Sequence, residues 1–139
     1  IVRPGITTGE IGAVIQATIE EHNYKPVANL TGHGLDRYDL HSAPTIPNIA
    51  MSGGAVIEEG MVFAIEPFAT TGSGRVTEAA RVEIYQQIAG DKVDIGLMNL
   101  VRSGILHPFP VLHDVPGSFV SQAEHTLVVT ADGCEVTTR

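Results

Sequence analysis

The sequence has 139 residues, one domain's worth of chain, and with 43% hydrophobic and 17% charged residues it is neither disordered nor fibrous. Lys and Arg total 8 against 16 Asp and Glu, and the net charge of −8 argues against nucleic acid and anionic lipid as partners. The single cysteine, Cys134, excludes an internal disulfide framework and a four-thiolate zinc site, and no apolar run approaches a membrane span. A reducing, cytoplasmic compartment is expected. With 5% aromatics and no Trp, the core must be mostly Val, Ile, Leu and Ala.

Taken in chain order, the first element is a helix. Thr7-Thr8-Gly9-Glu10 has the capping-box pattern, and Ile11, Val14, Ile15, Thr18 and Ile19 recur at helical spacing. The helix should stop near His22-Asn23, before Lys25-Pro26. From Val27 the chain breaks into short extended pieces punctuated by Gly32, Gly34, Pro44 and Pro47, with a turn at Ser52-Gly53-Gly54. Met61–Ile65 is a continuous apolar run bounded by Gly60 and Pro67, the pattern of a strand buried on both faces. Thr70–Gly74 is a loop, and no dinucleotide or P-loop fingerprint accompanies its Gly-x-Gly. Over residues 75–105, Val82, Ile84, Ile88, Val93 and Ile95 suit strands or short helices, while Ile95–Ile105 has helical spacing. Pro108, Pro110 and Pro116 mark an irregular stretch. Glu124–Thr130 reads as a strand, Ala131-Asp132-Gly133 as a hairpin turn, and Cys134–Thr138 as the returning strand. The whole is mixed α/β or α+β, without internal repeat or linker.

Three polar positions stand out. His33 lies between Gly32 and Gly34, where the backbone can turn sharply around it; the plain alternative is a loop histidine that caps a turn. Glu66 ends the apolar run, so a central strand would deliver it into the cleft at the sheet's end; otherwise it simply escapes to solvent. Glu124 opens the last hairpin, with Thr126 on its face and His125 and Leu127 on the other; an edge-strand carboxylate in water is the alternative. One imidazole and two carboxylates make a ligand set for Mn, Fe, Co or Zn, and two carboxylates can bridge a pair of such ions. His41 lies eight residues beyond His33, about 26 Å on a straight strand, so a turn at Gly34–Asp36 is required to bring the two together. His22, His107, His113 and His125 read as structural or solvent-facing, no Gly-x-Ser-x-Gly elbow is present, and nothing singles out Cys134 as a nucleophile.

Three segments then match a known pattern in order: Gly32-His33-Gly34-Leu35-Asp36-Arg37-Tyr38-Asp39-Leu40-His41-Ser42-Ala43-Pro44-Thr45-Ile46-Pro47-Asn48, the stretch from Ile57-Glu58-Glu59-Gly60-Met61 through Glu66-Pro67-Phe68-Ala69-Thr70-Thr71-Gly72, and Gln122-Ala123-Glu124-His125-Thr126. The chain resembles type II methionine aminopeptidases of the archaeal branch; prolidases and creatinases fit less well. The resemblance implies an α+β pita-bread fold and a centre of two divalent metal ions (Co, Mn, Fe or Zn), which removes the N-terminal methionine of nascent peptides by attack of metal-bound hydroxide on the first peptide bond. It further implies that His33, Glu66 and Glu124 bind metal and that Glu66 also serves as general base. His41 would contact the scissile amide, and Leu40 and Phe109 would line the methionine pocket.

The resemblance also expects two aspartates about ten residues apart from the first half of the fold, and no Asp pair here has that spacing. With Ile1 first and no initiator Met, residues 1–139 are expected to be the C-terminal portion of a pita-bread peptidase domain, inactive alone and partnered by a missing N-terminal half. Residues of about 75–105 would be the remnant of a shortened helical insertion. The competing expectations are a non-catalytic pita-bread scaffold or binding module, and an unrelated α/β domain with coincidental motifs.

Overall fold

In the computed structural model, which describes residues 1–87 and 96–138, the chain forms two units: Ile1–Val76 with Asp114–Arg139, and Thr77–His113. The first unit contains a helix, α1 (Thr8–Glu21), and strands β1 (Lys25–Pro26), β2 (Thr31–Asp36), β3 (Asp39–Pro47), β4 (Val62–Ile65) and β5 (Phe68–Thr70). The second unit contains β6 (Thr77–Gln87), α2 (Leu97–Arg102) and β7 (Leu106–His113). The chain then returns to the first unit as β8 (Val120–Gln122), β9 (His125–Val129) and β10 (Cys134–Val136). No helix among the described residues is long and apolar enough to cross a membrane.

The capping box forms as its sequence implies. The Thr7 hydroxyl accepts from the Glu10 amide, and the Glu10 carboxylate accepts from the Thr7 amide at 2.7 Å, which satisfies backbone donors that a helix start leaves open. The helix ends at His22, and Asn23 at φ 63° turns the chain away. Ile11, Ile15 and Ile19 form one buried stripe, packed in a single core with Ile6, Ile46, Ile57, Phe63, Leu127 and Val129. Each such side chain contributes roughly 1.5–3 kcal/mol of burial, so this face of the sheet has one occupant and its strand register is firmly specified.

The five-stranded sheet runs β10-β9-β4-β2-β3 and a three-stranded sheet runs β1-β5-β8. β4 is central, as the apolar run Met61–Ile65 implies. The two sheets share one alignment: Val62 to Ile65 pair with Val128 to His125, and Phe68 to Thr70 pair with Gln122 to Val120 without any shift in register. Between them the Ala123 amide donates to the Pro67 carbonyl at 3.2 Å. Pro67 has no amide hydrogen to return the bond, so the ladder is interrupted there and the strands are counted as two pairs.

Gly32 and Gly34 are not in a loop, contrary to the sequence reading. They sit within β2, between β3 and β4, and neither has a positive φ. A Cβ at Gly32 would lie 2.2 Å from the Ala64 carbonyl oxygen and one at Gly34 would lie 2.1 Å from that of Ala43, so these glycines serve close backbone approach rather than a sharp turn. The turn itself falls later than the expected Gly34–Asp36: Asp36 pairs with Asp39, and Arg37-Tyr38 make the tip with Tyr38 at φ 63°.

In the second unit, β6 and β7 form an antiparallel ribbon, with α2 burying Leu100. The helical spacing noted at Ile95–Ile105 is realised over Leu97–Arg102; Ile88, Val93 and Ile95 lie outside the described residues. The expected irregular stretch around Pro108 and Pro110 is instead a strand, in which Pro108 pairs with Tyr85 and Pro110 with Val82. In a two-stranded ribbon each strand has an open side, where a residue without an amide hydrogen breaks no ladder.

The ends of the first unit that flank this excursion are tied down. The Asn29 side chain donates to the Val76 carbonyl at 2.8 Å and accepts from its amide at 3.0 Å. The Asp114 carboxylate accepts from the hydroxyls of Thr70 and Ser73 and from the amides of Ser73, Gly74 and Val115. The Ser73 hydroxyl, more than any other donor, holds the Asp114 carboxyl far below its ordinary range.

Two expected outcomes follow from this packing. Thr7→Ala removes the cap acceptor and should cost about 1 kcal/mol, read as a lower denaturant midpoint at unchanged m-value. A depressed Asp114 contributes stability above its unfolded value that is lost as pH falls toward its folded one, so Asp114→Asn should melt several degrees lower at neutral pH. The same variant should lose less further stability than the parent when the pH is taken below about 4.

Candidate functional site

The register of the central ladder places the two glutamates. Ile65 pairs with His125, and one step further along the same alignment Glu66 stands opposite Glu124, at the break marked by Pro67. Alternation puts Glu66 on the face of Ala64 and Glu124 on the face of Thr126, and Ala64 pairs with both Thr126 and His33. His33, Glu66 and Glu124 therefore rise from three adjacent strands on one face, opposite the face that Phe63 and Leu127 turn toward α1.

The side chains meet accordingly. His33 Nε2 lies 3.0 Å from Glu66 Oε1, both side chains being about seven-eighths buried (12% and 13% exposed). The His41 ring lies 4.3 Å from the His33 ring, centroid to centroid, because the β2–β3 hairpin folds it back. Gln122 Nε2 donates to Glu66 Oε2 at 2.9 Å and to Glu124 Oε2 at 3.4 Å. Burial pushes the Glu66 carboxyl above its ordinary range and the Glu124 charge adds to the effect, while His33, His41 and the Gln122 hydrogen bond pull it back.

These atoms suit a cation chemically. His33 Nδ1 is 3.0 Å from the Gly34 carbonyl oxygen, which can only accept, so that nitrogen carries a proton. In the neutral ring Nε2 then holds a lone pair, and it faces a carboxylate oxygen: two acceptors at this distance require a proton or a metal ion between them. The donor set of one imidazole and two carboxylates fits a divalent ion of the Mn-to-Zn series. As the side chains stand, no three His, Cys, Asp or Glu among the described residues surround one point closely enough to hold a metal. Glu124 is joined to Glu66 through Gln122 and is largely exposed.

Of the other expected site residues, Leu40 lies on β3 beside His41 and is 57% exposed, and Phe109 lies on β7 of the second unit, edge-on to His107 at 4.8 Å. His22 sits at the end of α1 near the Thr18 carbonyl, and His125 Nδ1 meets the Thr138 hydroxyl. Cys134 is an exposed free thiol in the terminal hairpin. The sequence reading missed Gln122. Its signal was its spacing two residues before Glu124, which on an extended strand gives both side chains the same face.

The chain is similar to known proteins over nearly its whole length. A model of metallopeptidase family M24 matches residues 1–131. The methionine aminopeptidase of Archaeoglobus fulgidus is 39% identical over 169 aligned positions, which take in 100% of this chain and 58% of that protein. That of Methanothermobacter thermautotrophicus is 35% identical, over 99% of this chain and 58% of its own length. Among solved structures, the methionine aminopeptidase of Rickettsia prowazekii superposes with a TM-score of 0.71 at 33% identity, covering 99% of this chain and 45% of that one. The prolidase of Pyrococcus horikoshii, at a TM-score of 0.57 and 20% identity, shares the fold alone. The chain thus spans 58% of the curated relatives it matches, and the fold is the α+β pita-bread fold in part, as the sequence implied. A family model running from the first residue through the strand of Glu124 places this chain in metallopeptidase family M24.

Proposed function

We propose that this chain is the C-terminal portion of a metal-dependent methionine aminopeptidase, which removes the N-terminal methionine of nascent peptides in the cytoplasm. The observation that carries the reading is the contact of His33 Nε2 with Glu66 Oε1, at the sheet position where Glu124 stands opposite. His33, Glu66 and Glu124 would hold two divalent ions (Co, Mn, Fe or Zn) together with two aspartates from an N-terminal segment. Such ions supply Lewis acidity to a carbonyl and make water more acidic.

The chain's own residues would do the rest. Glu66, whose carboxyl is shifted up by burial and by Glu124, is suited to accept a proton from water and return it to the departing amine. His41, whose ring lies 4.3 Å from that of His33 and tilted by 59° to it, would hold the scissile amide by a hydrogen bond. Leu40 would provide an apolar wall for the methionine side chain, and residues of about 75–105 would be what remains of a longer insertion. The alignment with the Archaeoglobus relative runs over 169 positions, against 139 residues here, in support of a shortened segment.

The competing reading, a non-catalytic scaffold or binding module of the same fold, draws on the lack of a ready three-donor metal site among the described residues. One experiment separates them. The chain is supplied with Mn or Co, alone and with a separately produced N-terminal portion from a relative, and methionine release from a Met-Ala peptide is followed. We expect no release by the chain alone, release when the second portion is added, and a loss of about 10²–10⁴-fold in the Glu66→Gln variant. Robust turnover by the chain alone would mean that other residues complete the site, and no metal uptake in either form would favour the module.

A further inference from the structure

Gln122 is a polar side chain in contact with both carboxylates of the centre. It ends β8, where its pairing with Phe68 fixes its backbone, and it precedes Glu124 by two residues on the same face. Its amide nitrogen is within 2.9 Å of Glu66 Oε2 and 3.4 Å of Glu124 Oε2. Two carboxylates brought to opposing positions of one ladder repel each other and would splay if nothing stood between them. An amide carries two N–H donors and no charge, so it can serve both carboxylates at once without adding a ligand of its own.

We propose that Gln122 is a positioning residue that couples Glu66 to Glu124 and selects which oxygen each one presents. With Oε2 of Glu66 engaged by the amide, Oε1 is the atom turned to His33 Nε2. On Glu124 the amide likewise engages Oε2. Gln122 acts through the two carboxylates and touches neither substrate nor reacting atoms. The proposal rests on the reading of His33, Glu66 and Glu124 as a metal centre. Outer partners of this kind are worth about 10–100-fold in metal affinity.

The test uses the full 139-residue chain and two readouts. In the metal-free chain, the side-chain amide resonances of Gln122 are followed by nitrogen-15 NMR, and they should move in both the Glu66→Ala and Glu124→Ala variants. An amide indifferent to either substitution overturns the proposal whether or not the chain binds metal. Co²⁺ is then titrated into the parent and into Gln122→Met, a variant of similar size without donors. Affinity should fall about 10–100-fold and the visible cobalt bands should shift, a spectral change that a mere loss of folded protein would not produce. Unchanged affinity and bands in Gln122→Met also overturn the proposal. A parent chain that takes up no Co²⁺ overturns the metal-centre reading instead, and the amide resonances then decide the coupling on their own.

Discussion

One antiparallel alignment governs the first unit: the stretch from Val62 to Thr70 runs against the stretch from Val128 to Val120 with a single unshifted register. A slip of one residue would carry Phe63 and Leu127 away from the isoleucines of α1 and turn Glu66 and Glu124 toward that apolar layer. The cost of exposing one set and burying the other is several kcal/mol per side chain, so the core enforces the placement of the polar groups on the far face. The chemistry on one side of the sheet is thus secured by the packing on the other.

Within that frame the electrostatic problem is local. Two glutamates at facing positions, one of them mostly buried, stand beside two histidines whose rings are in tilted contact. Glu66 is engaged by His33 and by the amide of Gln122, and the same amide reaches Glu124, whose side chain is otherwise exposed. The interruption at Pro67 helps here. Where a ladder bond is missing, the strands keep their register through the single bond from Ala123 without continuing a flat sheet past the carboxylates.

Much of this was legible beforehand, because it rests on local patterns. The capping box at Thr7–Glu10, the buried strand ending at Glu66 and the terminal hairpin through Asp132-Gly133 each follow from a few adjacent residues with one dominant physical cause. The misreadings share a different origin. Gly32 and Gly34 suggest a turn, yet their reason lies in carbonyls of Ala64 and Ala43 that approach from neighbouring strands, which no local pattern discloses. Pro108 and Pro110 argue against a strand until the partner is known to cover only one side. Gln122 was passed over because an uncharged amide gains meaning only when two acids converge on it. Asp114 was also overlooked, since its five donors come from Thr70, Ser73, Gly74 and its own neighbour, mostly some forty residues away.

That carboxylate, with the Asn29 clamp on Val76, marks the points at which the chain leaves the first unit and comes back to it. Because both points are fastened independently of what runs between them, the intervening segment can grow or contract across evolution at little thermodynamic expense, since closure entropy rises only with the logarithm of loop length. A change of length between Val76 and Asp114 would therefore leave the register of the strands that bear Glu66 and Glu124 in place.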